Sequence, residues 1–211
     1  MRTVPDPIDP PEGLSYGEST WEIALSYPAQ GCWTEQEYLE LDTNRRVEFS
    51  HGFVEFQPML TTPHQRLILL LVNLVNAFAT PRGLGEALIA GVRVRLWEGK
   101  YREPDVVFML AEYASRITVD YWIGADLVME VVSGGESDRH RDLVTKRGEY
   151  AKAVIPEYWI IDPELAQITV LVLDGPAYAV HGVYRRGQQA TSTLLPGFAV
   201  DVTAVLEAAK R

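Results

Sequence analysis

Three charged residues of this 211-residue sequence stand where charge is hard to keep. Asp105 follows Pro104 at the mouth of an apolar run, Asp105–Leu110 (DVVFML), and Glu130 interrupts a second, Leu127–Val132 (LVMEVV). A carboxylate inside a buried strand is costly unless a cation, a metal or several donors meet it. Lys146 follows on a segment of helical period, where Asp142, Lys146 and Tyr150 recur every four residues and share one face. If the two strands are neighbours, Asp105 and Glu130 can converge on one hard divalent cation, Mg2+ or Mn2+, which prefers oxygen ligands and keeps several waters. Such a metal can generate a hydroxide nucleophile and neutralise charge on a phosphate. A lysine beside it would orient the water or stabilise the developing charge. The pattern frames metal-assisted phosphodiester chemistry.

Each of these residues also has a plainer reading. Asp105 could cap a strand end or pair with Arg102. Glu130 could form a purely structural ion pair with Lys146, which would also explain a buried carboxylate. By spacing alone Glu48 is a solvated hairpin residue, His64 a helix-start residue, and Tyr150 an amphipathic core-edge residue whose hydroxyl finds a partner. Met59, Met109 and Met129 read as core filler. Arg139, His140, Arg141, Lys146, Arg147 and Lys152 form one basic cluster whose functional reading is a phosphate contact.

The elements that must position these groups follow from hydrophobic period and breakers. Thr34 and Glu37 form a capping-box pattern that starts a short helix running to about Leu41. Arg46–Gln57 reads as a β-hairpin around His51-Gly52, with Glu48 on its first strand. Thr62 as cap and Pro63 at the first position open a helix through Leu67, Leu71, Val75 and Phe78 that ends near Pro81–Gly83, with His64 in its first turn. Ala90–Trp97 alternates as a half-buried strand, turned by Gly99-Lys100. Asp105–Leu110 is continuously apolar and therefore central. Glu112–Thr118 is a short helix or loop. After strand Leu127–Val132, Gly134-Gly135 breaks the chain, a helix covers Arg139–Ala153, and Tyr158–Ile161 is a buried strand. Gln167–Leu173 and Ala177–Arg185 form a hairpin, Thr193–Leu195 a short strand, and Val202–Lys210 a terminal helix. This order predicts one α/β domain with a mixed sheet, an α+β arrangement flanked by helices. No internal repeat is present.

Composition sets the outer bounds. The length suits one well-buried domain, and 47% hydrophobic with 23% charged residues is ordinary globular composition. The net charge of −10 argues against broad nonspecific affinity for nucleic acid, though not against a local basic site. The single cysteine, Cys32, excludes an intramolecular disulfide framework and fits a reducing compartment. No secretory signal and no membrane span are evident, so a cytoplasmic, soluble protein is expected. Residues 1–30 hold Pro5, Pro7, Pro10, Pro11 and Pro28 and read as a proline-rich arm; residues 31–211 are the single domain. Tyr16, Trp21 and Tyr27 on that arm lead to the expectation of a homodimer with the arm at or near its interface.

Several runs together resemble a known family. Pro104-Asp105, Glu130-Val131-Val132-Ser133, Lys146 with Tyr150, and Ile155–Pro163 (IPEYWIIDP) look like the Uma-two family, grouped with the restriction endonucleases of the PD-(D/E)-x-K nuclease superfamily. Val47-Glu48-Phe49 with Gly52, Pro63-His64 and Leu195-Pro196-Gly197-Phe198 extend the resemblance, which covers roughly Trp33 to the C-terminus. It implies a restriction-endonuclease-like fold, Asp105 and Glu130 as metal carboxylates, Lys146 supplied from the following helix, Glu48 as a third acidic ligand, and His64 and Tyr150 in the same cleft. It implies DNA as the substrate. The superfamily pattern places its lysine two residues after the glutamate, where this chain has Val132. Val154 stands where glycine is expected, and Phe49-Ser50-His51 replaces a more usual apolar-acidic turn. A second reading keeps the fold and drops the catalysis: a nuclease-fold module used for self-association or partner binding.

Overall fold

The structure, a computed structural model, describes residues 27–43, 45–132, 134–135 and 139–210. Residues 1–26 of the arm, with Tyr16 and Trp21 and the expectation placed on them, lie outside the described residues; Tyr27, near the end of the arm, stacks on Trp33 with ring centroids 5.8 Å apart.

The chain opens with α1 (Glu35–Leu39), then the hairpin β1 (Val47–Ser50) and β2 (Phe53–Phe56). The capping box is complete: Thr34 Oγ1 accepts from Glu37 N, and the Glu37 carboxylate accepts from Thr34 N at 2.8 Å. His51 and Gly52 turn the hairpin with φ of 46° and 87°, the left-handed pair that a two-residue turn requires. The long helix α2 (Thr62–Ala79) is capped by Thr61, one residue earlier than expected, and Pro63 falls in its first turn, where a missing N–H costs nothing. Gly83 closes the end of this segment in the left-handed conformation.

Next come β3 (Gly85–Ile89), β4 (Val94–Trp97), β5 (Lys100–Arg102), β6 (Val106–Leu110), a 3-10 segment (Ala111–Arg116), and β7 (Trp122–Ile123). The expected strand from Ala90 therefore begins only at Val94: Gly91, at φ 106°, turns the chain between β3 and β4. Lys100 lies on a strand rather than in the turn. After β8 (Leu127–Val131), a π-helical turn (Arg141–Thr145) leads into α3 (Lys146–Lys152). The expected single helix is thus broken in register at its middle. The chain ends with β9 (Glu157–Asp162), β10 (Gln167–Asp174), β11 (Ala177–Arg185), β12 (Gln189–Thr191), β13 (Ala199–Asp201) and α4 (Val202–Ala208). Residues 193–195 form a turn between β12 and β13, not a strand, because the Glu157 carboxylate accepts from Thr193 N at 2.7 Å and Leu194 N at 2.9 Å.

Two sheets organise the molecule. The larger has the order β11-β10-β9-β8-β6-β3, antiparallel except for the parallel pair β8–β9 that α3 connects. The smaller has the order β2-β1-β5-β4-β7. One face of β6 and β8 sends Val106, Phe108, Leu127, Met129 and Val131 into a core with α2 and α4. The other sends Val107, Met109, Val128 and Val132 toward α3, where Tyr150, Tyr158 and Tyr178 pack. Exposed sheet edges invite pairing with other chains, and a side-chain amide covers one edge strand of each of these sheets. Asn76 of α2 brackets Ala87 of β3, donating to its carbonyl and accepting from its N–H at 2.8 Å each. Gln30 does the same to Val54 of β2 at 3.0 Å each. Among the described residues no helix is long and apolar enough to cross a membrane.

Candidate active site

The register of β6 against β8 brings the two strand carboxylates together. Val106 pairs with Met129 and Val107 with Val128 in antiparallel sense. Extended by one residue, the same register sets Asp105 opposite Glu130, and opposed residues point to the same face. That face is the one α3 covers. Both carboxylates, with Arg46, His64, Asp142 and Lys146, line a cavity of about 250 Å³. Thr61, Pro63 and His64 of the first turn of α2 form part of its wall. The positive end of an 18-residue helix dipole therefore faces the cavity and favours an anion there.

Asp105 is held on three sides. Its Oδ2 accepts from Val131 N at 2.8 Å and lies 3.0 Å from His64 Nε2; its Oδ1 lies 3.2 Å from Arg46 Nη1. Burial opposes its charge, but the His64 hydrogen bond and the Arg46 and Lys146 charges outweigh it and hold the carboxyl below its usual range. The expected alternative partner, Arg102, is engaged elsewhere. Glu130 is less well compensated. Lys146 Nζ lies 2.9 Å from its Oε1, and Tyr150 OH donates to the same oxygen at 2.6 Å. Burial prevails and pushes Glu130 up to about 7, against Lys146 and with the help of Asp105 and Asp142.

Lys146 sits in a ring of carboxylates: besides Glu130, Asp142 Oδ1 is at 3.2 Å and Glu48 Oε1 at 3.9 Å. Burial works against its charge, and the surrounding anions reverse that and raise its pKa, so it is a firm ammonium. Asp142 is raised by burial despite Lys146 and Arg141, whose nitrogens lie 3.2 Å and 3.7 Å from its buried Oδ1. Glu48 and Tyr150 stand behind this cavity rather than along it. Glu48 is buried and bound by Arg102 Nη1, by Gln57 Nε2 at 3.0 Å and by Glu103 N at 3.2 Å. Burial is outweighed there by Lys146 and Arg102, and its pKa is lowered.

The basic cluster expected between Arg139 and Lys152 does not form one face. Lys146 is buried; Arg139 pairs with Asp162 at 2.6 Å; Arg147 donates to Tyr178 O at 2.9 Å; Lys152 lies over the Trp97 ring at 4.2 Å. Three participants escaped the sequence reading as site residues. Asp142 was visible only as a face-mate of Lys146. Arg46 and Arg102 act through contacts between residues 59 and 54 positions apart, the second across the β1–β5 strand pair, and no local pattern announces those.

The donor set suits a divalent cation. Among the described residues no group of three or more His, Cys, Asp or Glu side chains is arranged to hold a metal by itself. Mg2+ does not demand one, since it is usually held by one or two carboxylates with waters and substrate phosphate completing the shell. Asp105 and Glu130 would provide that pair, with the Asp142 carboxylate lining the same cavity.

A mixed sheet flanked by helices, with neighbouring strand carboxylates facing a helix-borne lysine, defines a restriction-endonuclease-like fold. The chain belongs to the Uma2 family, described as "Putative restriction endonuclease", whose model matches residues 35–203. Among solved structures the fold is similar to a protein from Anabaena variabilis described as a "putative nuclease belonging to DUF820". The TM-score is 0.69 at 16% identity, covering 84% of this chain and 99% of that one. No curated protein matches the chain.

Proposed function

We propose that this protein is a metal-dependent endonuclease that hydrolyses phosphodiester bonds of DNA. The observation that carries this reading is the pairing of Asp105 and Glu130 across β6 and β8 at one cavity, with Lys146 Nζ 2.9 Å from Glu130. Family membership and the fold point the same way. Asp105 and Glu130 would hold Mg2+ or Mn2+, with Asp142 facing the same space. A divalent cation bound there supplies charge neutralisation at the phosphate and lowers the pKa of a coordinated water.

The remaining steps belong to the chain. Asp105 stays ionised, because Arg46, His64 and Val131 N–H fix it. Lys146, a permanent cation, orients the attacking water and offsets charge that develops on the phosphate. The first turn of α2 favours the phosphate at the cavity wall. His64 stands where it can exchange a proton with a group at the cavity while its Nε2 holds Asp105. Tyr150 keeps the Glu130 carboxylate in one orientation, and Glu48 keeps Lys146 facing it.

The test is cleavage of supercoiled and linear DNA with Mg2+ or Mn2+, beside Asp105→Asn and Glu130→Gln. Metal-dependent cleavage lost in both variants is the expected result. A second reading, a non-catalytic nuclease-fold module, is favoured by one observation: Val132 lines the cavity at the position where the superfamily pattern has lysine. Absence of cleavage by the unmutated protein on any DNA tested would favour that reading.

A further inference from the structure

Arg102 is buried and faces three carboxylates, yet it does not line the cavity and the chemistry above does not use it. It lies at the end of β5, between β1 of the smaller sheet and α3. Its guanidinium makes a two-pronged contact to Glu149 of α3, Nε to Oε2 at 2.7 Å and Nη2 to Oε1 at 3.0 Å. Its remaining nitrogen, Nη1, bonds Glu48 and lies 3.4 Å from Glu55. Lys100, two residues earlier on the same strand, pairs with Glu149 at 2.8 Å. The result is a chain of alternating charge, Lys100–Glu149–Arg102–Glu48–Lys146–Glu130, that ends in the cavity.

Two properties of Lys146 make such a chain necessary. A lysine two residues after Glu130 would be placed by the β8 ladder itself. Lys146 instead rides the first position of a seven-residue helix that follows a π-helical turn, where helical register has slipped. The smaller sheet supplies the missing constraint by two routes. Arg102 grips α3 through Glu149, one helical turn beyond Lys146 on the same helix. It also orients Glu48, whose other oxygen faces Lys146 Nζ at 3.9 Å. The planar fork of an arginine can hold a carboxylate in a fixed orientation, and a lysine at the same place cannot.

We infer that Arg102 is a positioning residue: through Glu149 and Glu48 it sets the distance between Lys146 and Glu130. This deepens the nuclease reading and rests on it. The experiment pairs Arg102→Lys, which keeps the charge and loses the fork, with Glu149→Gln, which leaves the Arg102–Glu48 contact in place. Four quantities are measured: kcat and KM at saturating Mn2+, folded fraction by thermal melting, and the protected side-chain NH3+ resonance of Lys146 by 15N NMR without metal. Both variants should lose roughly 10–100-fold in kcat, the usual cost of removing a supporting partner, with KM near the parent value. In both, the Lys146 resonance should shift or broaden. A purely structural role would lower the melting temperature and leave the resonance and the rate per folded molecule unchanged, and that result overturns the inference. So does full activity in Arg102→Lys. If the parent cleaves nothing, the nuclease reading fails, and the resonance comparison still decides whether Arg102 positions Lys146.

Discussion

Replacing Lys146 by methionine removes one charge and keeps most of the buried stem. The lysine side chain is 3% exposed and faces Glu130 at 2.9 Å and Asp142 at 3.2 Å, with Glu48 at 3.9 Å. After the change Glu130 keeps only the Tyr150 hydroxyl, and Asp142 loses the nearer of its two cations. Orphaning a buried charge in this way costs about 3–5 kcal/mol. For a chain of this size that is a fall in melting temperature of roughly 6–20 °C. The loss must depend on pH. Glu130 already titrates near 7 in the folded protein, above its ordinary 4.5. A carboxyl raised by folding contributes stability below the unfolded pKa and loses it as pH rises through the folded one. Without Lys146 the rise is larger, so the deficit is greatest near pH 8 and shrinks toward pH 5. Metal should reverse the order of response. If Glu130 serves a divalent ion, Mn2+ takes over part of the missing positive charge, and binding at about 100 times Kd adds about 2.7 kcal/mol. Mn2+ should therefore raise the melting temperature of Lys146→Met more than that of the parent, while cleavage is lost. Scanning calorimetry at pH 5 and pH 8, with and without Mn2+, reads all of this. A variant that melts within about 2 °C of the parent at pH 8, or a deficit equal at both pH values, refutes the charge argument. An equal Mn2+ shift in both proteins refutes the shared site.

Two further changes probe strain and weakly compensated charge near the site. Glu103 is buried, its Oε2 has no hydrogen-bond partner among the described residues, and burial pushes it up to about 7 despite Arg46. Its contribution to stability is present below about pH 4.5 and lost as pH rises through about 7, so Glu103→Gln should stabilise by up to about 3 kcal/mol at pH 8 and change little at pH 4.5; denaturant melts at both pH values check the difference, and equal effects would refute it. Val154 follows the end of α3 at φ 58°, with Ile155 N bonded to Tyr150 O at 3.1 Å and Val154 N to Ala151 O at 3.0 Å, the left-handed helix ending that suits glycine. Val154→Gly should gain about 1 kcal/mol, or about 2–4 °C in melting temperature, and a drop would show that the exposed valine side chain contributes more than its backbone strain costs.

The elements most legible in the sequence were those whose signal is local. The Thr34 capping box, the His51-Gly52 turn, the apolar stripe of α2 and the apolar strands β6, β8 and β9 all follow from period, caps or breakers. The Val154 departure was legible too, and its left-handed backbone explains why glycine is expected there. What stayed hidden is decided by distant partners. Gly85–Ile89 (GEALI) has the composition of a helix, and it is a strand because β6 pairs with it and Asn76 brackets Ala87. Lys100–Arg102 is short and charged, and it is a strand because β1 and β4 flank it. The division into two sheets rests on that same insertion, and no periodicity encodes it.

The candidate site divides along the same line. Asp105 and Glu130 could be picked out because each charge sits in an apolar run, a local contradiction that only a partner resolves. Arg46 and Arg102 sit in polar surroundings, and their importance comes from where the fold takes them. The site also explains how a lysine can stand on a helix. Val132 points to the same face as Glu130 and lines the cavity, so a strand-borne lysine would have reached it. With valine there, that face of β8 becomes more apolar and packs against α3 through Tyr150. From that helix Lys146 Nζ reaches Glu130 at 2.9 Å. The charge that a lysine at position 132 would bring comes instead from α3, in exchange for packing on β8. Such an exchange needs α3 to be fixed independently of β8, and the contacts of Arg102 and Lys100 to Glu149 supply that fixation from the smaller sheet.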